Sequence, residues 1–150
     1  MDYEFLISDL TLNKTQKAIG TDKGLAKIGD AIINLAYSVA KSIYLTKNNL
    51  TDKVIRTGKK VSKNILETAL KNANMKSYAR TRADAHDLAD TVEALVAYVW
   101  FINKMSVKEI INLLADNLSG DLFNRAEEIK KATVAFTNLL NHIKQFLPNK

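Results

Sequence analysis

Cysteine is absent from this chain. That excludes disulfides, thiolate nucleophiles and cysteine-ligated zinc together, and it suits a reducing interior. Proline occurs once, near the C-terminus, and there are only five glycines. Alternating Val/Thr/Tyr runs are also missing, so little in the chain breaks helices and little promotes sheet. The N-terminal Met1-Asp2-Tyr3-Glu4-Phe5 is acidic where a secretory leader would be basic, and no apolar run with a small-residue cleavage site follows it. The longest apolar stretch, 94–102, is too short to span a bilayer. A cytoplasmic protein with no membrane partner is expected. No paired Ser/His/Asp or Cys/His set offers a protein nucleophile.

What the chain does contain is ordinary for a globular protein: 47% hydrophobic and 25% charged residues over 150 positions. Residues 1–150 are read as a single domain, long enough to bury a sizeable core. The formal charge of +6 and a pI near 9.4 favour an anionic partner such as nucleic acid or a membrane surface.

Helical periodicity organises the chain. Phe5, Leu6, Leu10 and Leu12 are expected to dock a short N-terminal turn on the body. A long helix capped by Thr21 or Asp22 is expected to run to about Tyr44. Its segment Gly24–Ala36 is apolar nearly all round, as befits a core helix. Thr51 is read as the cap of a second helix to about Asn72, with Val54, Val61, Ile65, Leu66, Ala69 and Leu70 inward. A polar, basic connection then covers 72–82. A second largely apolar helix is predicted over 84–103. Ser106 and Glu109 form a capping-box pattern for a short helix, and Asp121 is read as the cap of the last one. On that helix Leu122, Ala126, Ile129, Thr133, Phe136, Leu140, Ile143 and Leu147 face inward, opposite Glu127, Glu128, Lys130 and Lys131. The fold class is all-α.

Carboxylates then stand out. Asp30 sits in the middle of the first core helix, beside Gly29, where a second backbone or a ligand can come close. The second apolar helix carries Asp84, Asp87, Asp90 and Glu93 at steps of three, which places neighbours on adjoining parts of one face. Asp84 and Asp87 suit a solvated first turn. Glu93 lies two turns in, flanked by Val92, Ala94, Leu95 and Val96, where a lone charge is expensive. Two explanations fit three clustered acids: a divalent cation with hard oxygen ligands, or ion pairs with Lys or Arg. A phosphohydrolase built on His86-Asp87 would need ligands that the remaining histidine, His142, does not readily supply.

The residues resemble a known family. Leu25-Ala26-Lys27-Ile28-Gly29-Asp30-Ala31-Ile32 is similar to the Leu-Gly-Asp-Ala signature helix of the ribonuclease III family. Asp90-Thr91-Val92-Glu93-Ala94-Leu95 resembles its Asp-x-x-Glu-Ala motif. Between them, Lys59-Lys60-Val61-Ser62, followed by Leu66 and Ala69, is similar to its basic Lys-x-x-Val-Ser segment. Order and spacing agree over about 24–101.

The resemblance implies an all-α homodimer that cuts double-stranded RNA. It implies that Asp30, Asp90 and Glu93 are catalytic residues binding Mg2+ or Mn2+, which activates a water. Arg56, Lys59, Lys60 and Lys63 are the first candidates for RNA phosphate contacts; a solvated helix face is their bland alternative. Most members carry a further Glu four residues before the signature Asp, and here that position is Ala26. The compact mini-ribonuclease III group, similar in its Leu-Ala-x-x-Gly-Asp-Ala sequence, also lacks it. A fourth acid could come from Asp52 or Asp87. No double-stranded RNA-binding domain is expected after the last helix. The main alternative is a non-cutting RNA-binding or ribosome-associated relative. A third is an interaction module displaying Tyr98, Trp100 and Phe101.

Overall fold

The computed structural model describes residues 3–12 and 15–150; all regular structure within them is helical. The α-helices are α1 (Ser8–Leu12), α2 (Gln16–Gly20), α3 (Lys23–Lys47), α4 (Lys63–Asn72), α5 (Ala85–Phe101), α6 (Val107–Asp116) and α7 (Arg125–Ile143). Their starts follow the local chemistry. Asp22 caps α3 by accepting from Leu25 N–H, while Asp84 and Asp87 form a capping box on α5, as Ser106 and Glu109 do on α6. The last helix is capped by Asn124, not Asp121, whose carboxylate instead accepts from Phe123 N–H three residues too early.

The central element is α5, with every residue from Thr91 to Val99 buried. It packs on α3 and α4, with α2 against its flank; α6 packs on α3, α7 on α4, and the two touch each other. The helix α3 is buried on one side only. Ile28 and Leu35, expected inside, are 39% and 55% exposed. Among the described residues 3–12 only Ile7 and Leu10 are buried, whereas Phe5, Leu6 and Leu12 stay out in solvent. Tyr98 and Phe101 are buried and Trp100 is half-buried, stacked on Tyr3, which removes the displayed-aromatic reading.

Glu128, expected on the outer face of the last helix, lies in the core. It accepts from Lys41 Nζ at 2.7 Å, the Tyr37 hydroxyl at 2.8 Å and Arg125 at 3.0 Å, and so ties α7 to α3. Ala126, expected inward, is exposed.

The largest departure concerns 52–62. No helix begins at Thr51; α4 starts only after Ser62. Residues 55–61 run as a strap antiparallel to α3, held by a ladder of its polar side chains. Thr46 Oγ1 accepts from Ile55 N–H (2.9 Å) and donates to Ile55 C=O (3.2 Å). Ser42 Oγ accepts from Thr57 N–H (2.9 Å) and lies 3.1 Å from Thr57 C=O, with the Ser38 carbonyl a closer acceptor for its proton at 2.8 Å, and Ser38 repeats the Thr46 pattern with Lys59 (2.8 and 3.3 Å). Asn34 Oδ1 accepts from Val61 N–H at 2.8 Å. Four helical residues rise about 6 Å and two extended residues about 6.6 Å, so every fourth position of α3 meets every second position of the strap. The ladder supplies the backbone partners that a helix would otherwise supply internally, and β-branched Ile55 and Thr57 beside Gly58 favour that outcome.

Candidate active site

The acids come together where α3 crosses α5. Gly29 makes the crossing close: a Cβ there would fall 1.8 Å from the Glu93 carbonyl oxygen. Asp30, next along α3, is thereby set beside Glu93. Glu93 stands within hydrogen-bond reach of both Asp30 and Asp90 and is itself buried. Burial, then the hydrogen bond and charge of Asp30, then Asp90, push its carboxyl up to about 9. At neutral pH the protein alone therefore keeps a proton on Glu93.

The three acids line a cleft of about 300 Å3. Lys23, Lys27, Lys60 and Lys63 form its basic rim, and Ala26, Val61 and Leu66 its apolar wall. Asp30 has no ion pair among the described residues, but it accepts from Asn34 Nδ2 at 3.2 Å. Asp90 pairs with Lys23 at 2.9 Å from the exposed side. The ion-pair explanation thus holds for one acid of the three. Among the described residues no group of three acids or histidines is already drawn in to metal-ligand spacing. The donor set still suits a hard cation: three carboxyls converge, one of them forced to stay protonated, and a divalent charge would let all three ionise.

Of the candidate fourth acids, Asp87 does not line the cleft. It accepts from Asp84 N–H, from Arg80 at 2.7 Å and from Lys23 at 3.5 Å, and these hold its carboxyl at about 2. Asp52 precedes the far end of the strap, where residue 55 meets Thr46; that end of α3 lies about 24 Å along the helix from Asp30. Neither replaces the acid missing at Ala26, which is buried in the cleft wall.

The four candidate RNA contacts do not share a helix face. Lys60 reaches the cleft from the end of the strap and Lys63 from the start of α4. Arg56 lies further back, over a shallow depression with Ser38, Val39 and Ser42. Lys59 is half-buried where its backbone is bound by Ser38. Lys63 Nζ also contacts His86 Nδ1 in the first turn of α5.

Asn34 was not among the residues singled out from sequence. The signal was present: Asn34, Ser38, Ser42 and Thr46 form a polar row at spacing four along an otherwise apolar helix.

The family model described as Ribonuclease III matches residues 23–148. Comparison with curated proteins gives no match. No helix among the described residues is long and apolar enough to cross a membrane.

Proposed function

The chain belongs to the ribonuclease III family, and on that premise we propose that it is a cytoplasmic, magnesium-dependent endoribonuclease that cuts double-stranded RNA as a homodimer. The observation that carries this reading is Glu93 held between Asp30 and Asp90 at the α3–α5 crossing.

Asp30, Asp90 and Glu93 are the ligands and catalytic residues. A magnesium or manganese ion held by them would supply water activation for in-line attack on a phosphodiester and charge stabilisation for the leaving 3′ oxygen. To hold such an ion together, Glu93 would have to release its proton and Asp90 its Lys23 partner. Lys60 and Lys63, on the rim, hold phosphate oxygens beside the acids, and Arg56 and Lys59 extend the basic track along the strap. Duplex RNA is the substrate that the family implies. Ile28 and Leu35, seven residues apart on one face of α3 and both exposed, support a second copy of the chain packed there.

Incubation of duplex RNA with and without Mg2+, using the wild-type chain and Asp30→Asn, tests the reading. Cleavage that needs both the ion and Asp30 supports it. One observation favours a second reading, a non-cutting RNA-binding relative: Ala26 lines the cleft where most of the family has a Glu. Retained duplex binding with no product would decide for that alternative.

A further inference from the structure

The rung chemistry of the strap changes at one place. Ser38, Ser42 and Thr46 each use a hydroxyl to accept the N–H and meet the C=O of a single strap residue. A hydroxyl would serve the strap equally well at position 34, but the residue there is an amide. Its carbonyl oxygen accepts from Val61 N–H at 2.8 Å, and its Nδ2 donates to Asp30 Oδ1 at 3.2 Å. The Val61 N–H can bond only an acceptor, so it fixes which end of the amide is oxygen and leaves the NH2 turned to Asp30. Asp30 itself falls at the next step of the same spacing-four row, one turn before Asn34.

We infer that Asn34 is a positioning residue that locks the strap and the Asp30 carboxylate into one unit. The strap carries Lys60, and Asp30 is a proposed ligand, so one side chain sets the distance between the phosphate-holding rim and the ion-holding acids. An uncharged donor suits this task. It fixes the orientation of the carboxylate, yet leaves the negative charge for a cation, which an ammonium in the same place would neutralise. The inference rests on the proposal that Asp30 binds a divalent ion.

Two variants separate this role from general support of the strap. Asn34→Ser keeps a hydroxyl for Val61 and removes the donor to Asp30; Ser38→Ala breaks a rung that does not touch Asp30. The readouts are Mn2+ binding by titration, amide hydrogen exchange at Val61, and duplex RNA binding in Ca2+. Asn34→Ser is expected to weaken Mn2+ binding about 10–100-fold, the usual effect of losing a hydrogen-bond partner of a metal ligand, while RNA binding in Ca2+ stays within about twofold. Asn34→Gln, which keeps the amide but misplaces it, should recover little. Ser38→Ala should speed exchange at Lys59 and leave Mn2+ affinity intact. Wild-type Mn2+ affinity in Asn34→Ser overturns the positioning role while leaving the metal site standing. Equal losses in both variants would show mere support of the strap and overturn it too. A wild-type chain that binds no Mn2+ would sink the metal reading and this inference with it.

Discussion

Gly29 of α3 and Glu93 of α5 meet through their main chains: a Cβ on the glycine would stand 2.4 Å from the Glu93 carbonyl carbon and 2.9 Å from its Cα. The contact is backbone against backbone, so no side-chain rotation relieves it. The separation of the acids depends on this one missing methyl group. Gly29→Ala should push the helices apart, with a loss of about 1–3 kcal/mol by overpacking and a fall in Tm of about 2–4 °C per kcal/mol for a chain of this size. Thermal unfolding measures the loss. Cleavage should fall further than stability accounts for, because Asp30 moves away from Glu93.

The raised carboxyl of Glu93 makes metal-free stability pH-dependent. Its ordinary value is 4.5 and its value in the fold about 9. Between these the folded chain holds a proton that the unfolded chain has released, so stability is fully present below about 4.5 and is lost as pH rises towards 9. Tm in EDTA is expected to decline across that window. Glu93→Gln should flatten the decline, since an amide needs no proton. Mn2+ should flatten it in the wild type by binding the ionised form.

Asp90 is held by Lys23 on the exposed side of the cleft, and the hydrogen bond to Asp90 is the main reason the Lys23 ammonium is held above its ordinary value. Lys23→Met should free Asp90 and tighten Mn2+ binding, by no more than about fivefold because an exposed pair is worth only about 0.2–1 kcal/mol. Isothermal titration with Mn2+ reads the change.

On the rim, Lys60→Gln should weaken duplex RNA binding for all sequences alike and reduce the slope of log K against log salt by about one, the signature of one lost phosphate contact. Binding in Ca2+ at several salt concentrations supplies the slope. Arg56→Gln tests whether the track continues along the strap.

Away from the site, Glu128 is buried beneath Lys41, Tyr37 and Arg125. Burial pushes its carboxyl up, but the three donors outweigh that and leave it below its ordinary value. Removing it strands the buried Lys41 charge. Glu128→Ala should cost about 3–5 kcal/mol, seen as a Tm lower by roughly 10 °C. The double variant with Lys41→Met should recover part of the loss.

The parts of this molecule that could be read from sequence are those whose chemistry is local. Ser106 with Glu109 announces its cap within four residues, and the inward acids of α5 show in the apolar run around Glu93. Where the deciding partner is distant, the reading failed. Nothing near Val54 or Ile55 says that the hydroxyls of Thr46 and Ser42 will claim the backbone, so the strap reads as a helix. Glu128 looks like a surface acid until Lys41, on another helix, is known to face it. The first core helix looks apolar all round because Ile28 and Leu35 carry no mark of their exposure. At Asp30, the companion acids were legible through spacing and family likeness, whereas Asn34 showed only as one member of a polar row whose partner, the strap, lies elsewhere in the chain.

The most direct test of the acid site is a crystal soaked in Mn2+ and inspected by anomalous scattering. One strong peak or two, bounded by Asp30, Asp90 and Glu93 with Lys23 withdrawn from Asp90, is the expected result. No peak at a concentration that saturates other divalent-ion nucleases, with Glu93 still packed on Asp30 and Asp90, would contradict it.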